Sequence, residues 1–307
     1  MTRHHLLSFA RIVPTAVIVG VLSLASPDAR AQQVFSSPDD AASALAAAVK
    51  SGARKDLLRV LGSEGEDIIS SGDEVGDAES RTRFTSAYDA KHSVKTEGDK
   101  KAVMILGNDD FPFPIPLMKR KNGWEFDTEA GRLEILYRRI GRNELDAIQT
   151  CLAFVDAENE YAEKDRGQGA GVYAQRIVST TGKKDGLYWP GEDSPLGELA
   201  AQAAGEGYKV SEGPIPYHGY YFRVLTQQGP NAPGGTLDYV VKGKMIGGFA
   251  LLAWPAEYGN SGVMTFLVNH NGVVYQKDLG DYTMRLVKRM NWFDPDQTWK
   301  KVDAPKP

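Results

Sequence analysis

Five short runs rich in β-branched and aromatic residues fill the last third of the chain: Tyr220 to Leu225, Leu237 to Val241, Gly248 to Trp254, Val263 to Val268 and Val273 to Gln276. Gly, Pro and Asn bound them, as expected for strands. Asn271-Gly272, between the last two, signals a tight hairpin, most simply of type I′. The resulting antiparallel sheet needs a cover, and the chain offers one upstream. Leu145, Ile148, Leu152 and Val155 recur at spacings of three, four and three, which lays an apolar stripe along a helix running to about Ala162. An antiparallel sheet packed on one long N-terminal helix is an α+β arrangement.

The preceding part alternates short helices with short strands. Asp39 and Asp40 can cap a helix that uses Ala41, Leu45, Ala48 and Val49 and ends at Gly52. A second covers Lys55 to Leu61, Ser70 to Glu74 is a turn, and Arg81 to Ala90 is a further helical candidate. Ala102 to Leu106 is a compact strand, and Leu117 to Lys119, Asn122-Gly123 and Trp124 to Phe126 signal a hairpin. The alternating prolines of Phe111 to Pro116 remove ladder donors, so that segment belongs at an edge. Helices backed by a curved antiparallel sheet share the layout of nuclear-transport-factor-like and cystatin-like folds, by analogy alone.

Arg132 to Arg139 reads as helical, Gly141 as an interruption, and Asn143 with Asp146 as a fresh N-terminal cap. A division there gives a leader at 1–31, an N-terminal α+β domain at 32–140 and a C-terminal helix-plus-sheet domain at 141–307. Ser194 is expected to cap a helix from Pro195 to Ala204 that closes at Gly205.

The leader has the three parts of an export signal. A basic start with Arg3 and Arg11 precedes an apolar run from Ile12 to Ala25 and a small-residue site at Ala29-Arg30-Ala31. The apolar run is broken by Pro14, Thr15 and Gly20 and is shorter than the roughly 20 residues a membrane span needs. Cleavage after Ala31 is therefore expected, leaving no transmembrane anchor and a periplasmic or secreted protein. Losing Arg3, Arg11, Arg30 and Asp28 takes the formal net charge from −4 to −6, which makes nucleic acid a poor partner.

Cys151 is the only cysteine, so the core must stabilise the fold without an internal disulfide. Its place in a helix among Ile148, Leu152 and Val155 marks it as an apolar filler. Gly259-Asn260-Ser261-Gly262 has the look of a nucleophile turn, but nothing around His92, His218 or His270 supplies the rest of a triad, and turn chemistry alone accounts for it. The histidines lack zinc spacing, and no metal or cofactor is expected. Asn269, Asn271, Asp278 and Asp281 are oxygen donors without the regular spacing of a calcium loop. Gly167 to Gly171 follows a helix and lacks the Lys-Ser/Thr of a phosphate loop, so it reads as a connection.

Aromatic clusters are the remaining feature. Tyr188, Trp189, Tyr217, His218, Trp254 and Tyr258 are the candidate binding residues, because loop aromatics can stack on sugar rings or anchor a protein partner. They also fill cores, most clearly where they alternate in a strand as at Tyr220 to Phe222.

Arg138 to Leu145, Gly186-Leu187-Tyr188-Trp189-Pro190, Ser194-Pro195-Leu196-Gly197, Tyr217 to Phe222 and Ala253-Trp254-Pro255-Ala256 with Tyr258-Gly259 resemble the uncharacterised bacterial family catalogued as domain of unknown function 2950. The likeness runs from about Phe35 to Trp299 and implies no activity. The helix from Asn143, Gly171 to Ala174 and Ala253 to Asn269 are also similar to the globular heads of type IV pilin-like and pseudopilin-like proteins, although a whole domain precedes the helix here. The expected function is a non-enzymatic binding or assembly module of the cell envelope, with an envelope protein or a glycan as partner. The alternative is an envelope hydrolase acting on glycan or peptide, which requires paired carboxylates across a cleft lined by Tyr188, Trp189 and Tyr217.

Overall fold

The computed structural model describes residues 32–209 and 215–302, so the leader lies outside the described residues. Ser37 opens helix α1 (Pro38–Ser51): its hydroxyl accepts the Asp40 N–H, Pro38 takes a first-turn position, and Gly52 closes the helix at a φ of 64°. The cap is therefore Ser37, two residues before Asp39 of the acidic pair that the sequence suggested. Helices α2 (Arg54–Leu61), α3 (Glu66–Ile69) and α4 (Glu74–Ala90) follow, the last capped by Asp73.

Five strands form the first sheet: β1 (His92–Glu97), β2 (Lys101–Leu106), β3 (Phe111–Pro112), β4 (Leu117–Arg120) and β5 (Gly123–Phe126). Their order is β1-β2-β4-β5 with β3 on β2, all antiparallel. In β2, Ala102, Met104 and Leu106 alternate inward, the period of a strand with one covered face. They meet Leu45, Val60, Leu117 and Phe126 in one apolar core.

Helix α5 (Thr128–Glu163) is continuous over 36 residues, about 54 Å at 1.5 Å per residue. The expected interruption at Gly141 is absent, and the expected division between 140 and 141 falls inside this helix. Asn143, expected as a cap, makes a tertiary bond instead, as do its neighbours Arg139 and Glu144. Arg139 donates to the carbonyls of Asp67 (2.7 Å) and Ile68 and to Asn260. Asn143 donates to the Ser261 carbonyl, and Glu144 accepts the N–H groups of Val263 and Met264 at 3.0 Å. Leu145 was assigned to the buried stripe but is 55% exposed, while Ala147, Ile148, Cys151 and Phe154 carry the burial.

Beyond α5 and helix α6 (Gly197–Glu206) lie β6 (Tyr220–Leu225), β7 (Gln227–Gln228), β8 (Leu237–Asp238), β9 (Val240–Val241), β10 (Lys244–Met245), β11 (Ala250–Pro255), β12 (Met264–Asn269), β13 (Tyr275–Asp278), the short helix α7 (Thr283–Val287) and β14 (Lys300–Lys301). The second sheet has the order β14-β13-β12-β11-β6. The run from Leu237 to Val241 does not join it. The fully buried Tyr239 splits that run, leaving β8 on β7 and β9 on β10. Helix α5 packs against β11 and β12, and Phe154, Tyr220, Phe249, Leu251 and Phe266 fill the second core. Ser194 does not cap α6; its hydroxyl instead joins the Leu187 carbonyl and the Trp189 N–H, and α6 closes at Gly207. Two five-stranded antiparallel sheets with packed helices make the protein α+β. Among the described residues no helix is long and apolar enough to cross a membrane.

Candidate functional site

Strand β6 is the edge of the second sheet, and a concavity of about 790 Å³ runs along it. That volume falls in the ordinary range for ligand pockets, roughly 300 to 1,000 Å³. One wall is the edge itself, Tyr221 to Val224, backed by Leu251 and Trp254. A second is the apolar face of α6, where Leu196, Leu199, Ala200 and Ala203 fall at helical spacing. Arg176, Ile177 and Val178 form another side, with Thr150 and Phe154 from α5 at the base.

Side chains alternate across a strand, so Tyr221 and Arg223 belong to one face of the sheet and Phe222 and Val224 to the other. All four line the groove, which therefore wraps around the edge and reaches both faces. The charged side chains that line it are Arg176, Lys209 and Arg223; among the described lining residues there is no Asp or Glu. Arg223 donates to the Val287 and Met290 carbonyls (2.5 and 2.7 Å) and lies 5.5 Å from the Trp254 ring. Burial lowers its pKa from the usual arginine value. Trp254 is 9% exposed, and its indole N–H finds no acceptor among the described residues. A buried donor without a partner costs on the order of 1–3 kcal/mol.

The candidate aromatics separate into groups. Tyr188, Tyr217 and Trp254 come together around the groove. Trp189 does not join them: it is 5% exposed, packed edge-on against Tyr161, with its N–H on the Glu192 carbonyl. Tyr258 lies in a separate turn and donates its hydroxyl to Asp278.

His218 sits behind Tyr217 in a strained left-handed conformation, φ 47°. Its ring lies between Asp146 (3.5 Å) and Glu206 (3.1 Å), the latter close without hydrogen-bond alignment. Asp73 holds the bend. This 2%-exposed carboxylate accepts the Tyr208 hydroxyl and the Gly219 N–H, both at 2.8 Å, and also caps α4. Gly219 is required at φ 74°, and a Cβ there would meet Asn143 Nδ2 at 2.5 Å. Burial, then Glu206 and Asp146, pushes the Tyr217 hydroxyl up to about 12, so it enters the site as a neutral phenol.

Other sequence candidates have structural work. The Ser261 hydroxyl accepts the Glu257 N–H and donates to the Glu257 carbonyl, closing its own turn. Cys151 is fully buried, and burial pushes its thiol up to about 12. Asn269 braces its hairpin by accepting the Asn271 N–H, and Asp278 accepts the Gly280 N–H. Among the described residues no group of three or more His, Cys, Asp or Glu is arranged to hold a metal ion.

The groove is built from stretches that also carry the family likeness, including Tyr188, Leu196, Tyr217 to Phe222 and Trp254. The model of the family described as "Protein of unknown function (DUF2950)" matches residues 32–302. The chain belongs to this family. No curated protein matches the chain. No solved structure matches it either, so the likeness to pilin heads gains no support. Membership in DUF2950 assigns no chemistry, and the groove has to be read from its own residues.

The residues missed in the sequence are the edge positions Phe222 and Val224, the α6 face and the cations Arg176, Lys209 and Arg223. Leu196, Leu199, Ala200 and Ala203 are visible as a helical stripe, but periodicity cannot tell a groove wall from a core face.

Proposed function

We propose that the protein is an exported, non-enzymatic binding module of the cell envelope, and that the groove along β6 takes an apolar ligand carrying negative charge. Export rests on the basic, apolar and small-residue parts of the leader. The observation that carries the ligand reading is the lining: apolar and aromatic walls with three cations and, among the described residues, no carboxylate, in a chain of net negative charge. A groove of this chemistry favours an anionic amphiphile over a neutral sugar, which asks for a dense set of hydrogen-bonding groups. The hydrolase reading needs a carboxylate pair across the aromatics, and the described lining places none there.

Titration with anilinonaphthalene sulfonate, an apolar anion whose fluorescence rises on burial, tests the reading. Saturable binding to one site of the folded protein is expected, with a loss of at least roughly tenfold in affinity on Leu199→Glu. Absence of saturable binding, or equal binding by the variant, would contradict it.

A further inference from the structure

We propose that the groove's occupant is an extended peptide that adds a strand to the free edge of β6, with acidic and apolar side chains in alternation. The proposal rests on the groove being a binding site and names what it binds.

Among the described residues the outer edge of β6 is unpaired at Phe222 and Val224. Tyr217 and Tyr220 exchange backbone hydrogen bonds (2.8 and 3.0 Å), so the Tyr220 N–H and C=O point away from β11. Backbone direction alternates along an antiparallel strand, so Phe222 and Val224 point the same way, while Tyr221, Arg223 and Leu225 serve Trp254, Leu252 and Ala250. Among the described residues, Phe222 and Val224 have no backbone partner on that outer side. Unpaired edges template further strands unless charge, proline or a covering element blocks them, and Arg223 is the only charge in β6. Val178, another lining residue, is bridged to Tyr188 through the Ile177 carbonyl and the Ser179 N–H, so its own amide groups face away from Tyr188. Among the described residues the groove thus has unpaired backbone on two of its sides.

Side-chain chemistry selects the occupant. An added strand continues the pleat of β6, and its side chains alternate between the two faces. One set meets the face of Phe222, Val224 and Leu251, which is apolar. The other meets the face of Arg223 and Trp254, where the guanidinium, held by the Val287 and Met290 carbonyls, presents positive charge. Lys209 and Arg176 extend the positive rim. An acyl chain with an acidic head would use the apolar surface and the cations but leave the outward amides of Phe222 and Val224 unpaired.

The probe is a fluorescein-labelled octapeptide alternating glutamate and valine, titrated into the full chain by fluorescence anisotropy. Three analogues accompany it: lysine in place of glutamate, and backbone N-methylation of each alternate set of amides. Saturable binding is expected, at least roughly tenfold weaker for the lysine analogue and for one methylated set than for the other. Val224→Pro removes an outward donor at a position where an edge tolerates proline, and a loss of roughly tenfold or more is expected with thermal unfolding unchanged. Lys209→Glu, at the exposed rim, is expected to weaken the glutamate peptide and strengthen the lysine one, which keeps the test sharp should Val224→Pro fold poorly. Equal affinity for both charges, or equal effects of the two methylated sets, overturns the proposal. Dye binding without peptide binding overturns the added strand alone. Loss of both overturns the groove as a binding site.

Discussion

Pro255 stands directly across from Tyr220 at the end of the β6–β11 ladder, at a position where the ladder requires no N–H. Tyr220 turns its backbone groups to Tyr217, so the proline removes nothing from this pair. The same relationship sets the phase of the edge: every second residue from Tyr220 opens outward, and the groove lies where it opens. Position matters as much as chemistry here, and the long helix α5 supplies it by tying the turn at Asn260 to Met264 to the first half of the chain.

The continuity of α5 makes opposite predictions for two of its glycines. A Cβ on Gly131 would lie 2.5 Å from the Pro114 carbonyl oxygen and 2.6 Å from the Ile115 Cα, backbone that cannot swing aside. A Cβ on Gly141 would meet nothing within 4 Å. Gly131→Ala should cost about 2 kcal/mol or more by overpacking, whereas Gly141→Ala should stabilise by about 0.5 to 1 kcal/mol as a helix-interior replacement. Urea denaturation of both variants checks the pair. A broken helix at Gly141 would remove the gain.

Asp73 joins α4, Tyr208 and the bend at His218-Gly219. Replacing it with Ala leaves the Tyr208 hydroxyl and the Gly219 N–H without their acceptor and removes the α4 cap. A loss of about 2 to 4 kcal/mol in unfolding free energy is expected. A change within about 0.5 kcal/mol would show that the bend is held by something else.

Glu158 is fully buried on α5. Burial raises its pKa well above the ordinary carboxyl value, against the lowering effect of its bond from the Ala174 N–H. The unfolded chain ionises this group first as pH rises, so stability falls from the unfolded carboxyl pKa upward until the folded pKa is passed. Glu158→Gln keeps an acceptor for Ala174 and removes the titration. Its stability relative to the natural protein should grow as pH rises above the ordinary carboxyl range, by up to about 1.4 kcal/mol per pH unit until the folded pKa is passed. A difference that stays constant with pH would mean that Glu158 reaches water.

Cys151 should resist iodoacetamide at about pH 8 in the folded protein and react once the chain is unfolded, because only the thiolate attacks and burial holds its pKa near 12. Mass spectrometry before and after denaturant reads the difference directly. Labelling of the folded protein at the rate of a free thiol would contradict the packing of α5 on the second sheet.

Much of the architecture is legible in local pattern. The strands at Tyr220, Gly248, Val263 and Val273, the hairpin at Leu117 to Phe126 and the edge position of the Phe111-Pro112 segment follow from β-branched runs, turn residues and missing donors. The pattern misleads where polar residues are used over long range. Gly141 and Asn143 look like a helix end because the bonds of Arg139, Asn143 and Glu144 are made to residues some 70 to 120 positions away. Aromatic content points to Tyr188, Tyr217 and Trp254, which meet at the groove, and equally to Trp189 and Tyr258, which do not. Which aromatic faces a cavity is decided by the order of strands, and no local feature at Phe222 or Val224 announces that their strand is an edge.

Two other exposed apolar surfaces compete with the groove for any ligand: Leu133 with Tyr137 and Leu145 along α5, and Tyr282, Met284 and Trp292 near α7. Hydrogen–deuterium exchange with and without saturating anilinonaphthalene sulfonate separates them in one measurement. Slower exchange is expected in Tyr220 to Leu225, in Arg176 to Tyr188 and in α6, with the other two surfaces unchanged. Protection confined to α7 or to the exposed face of α5, or no protection anywhere, would contradict the assignment of the groove as the binding site.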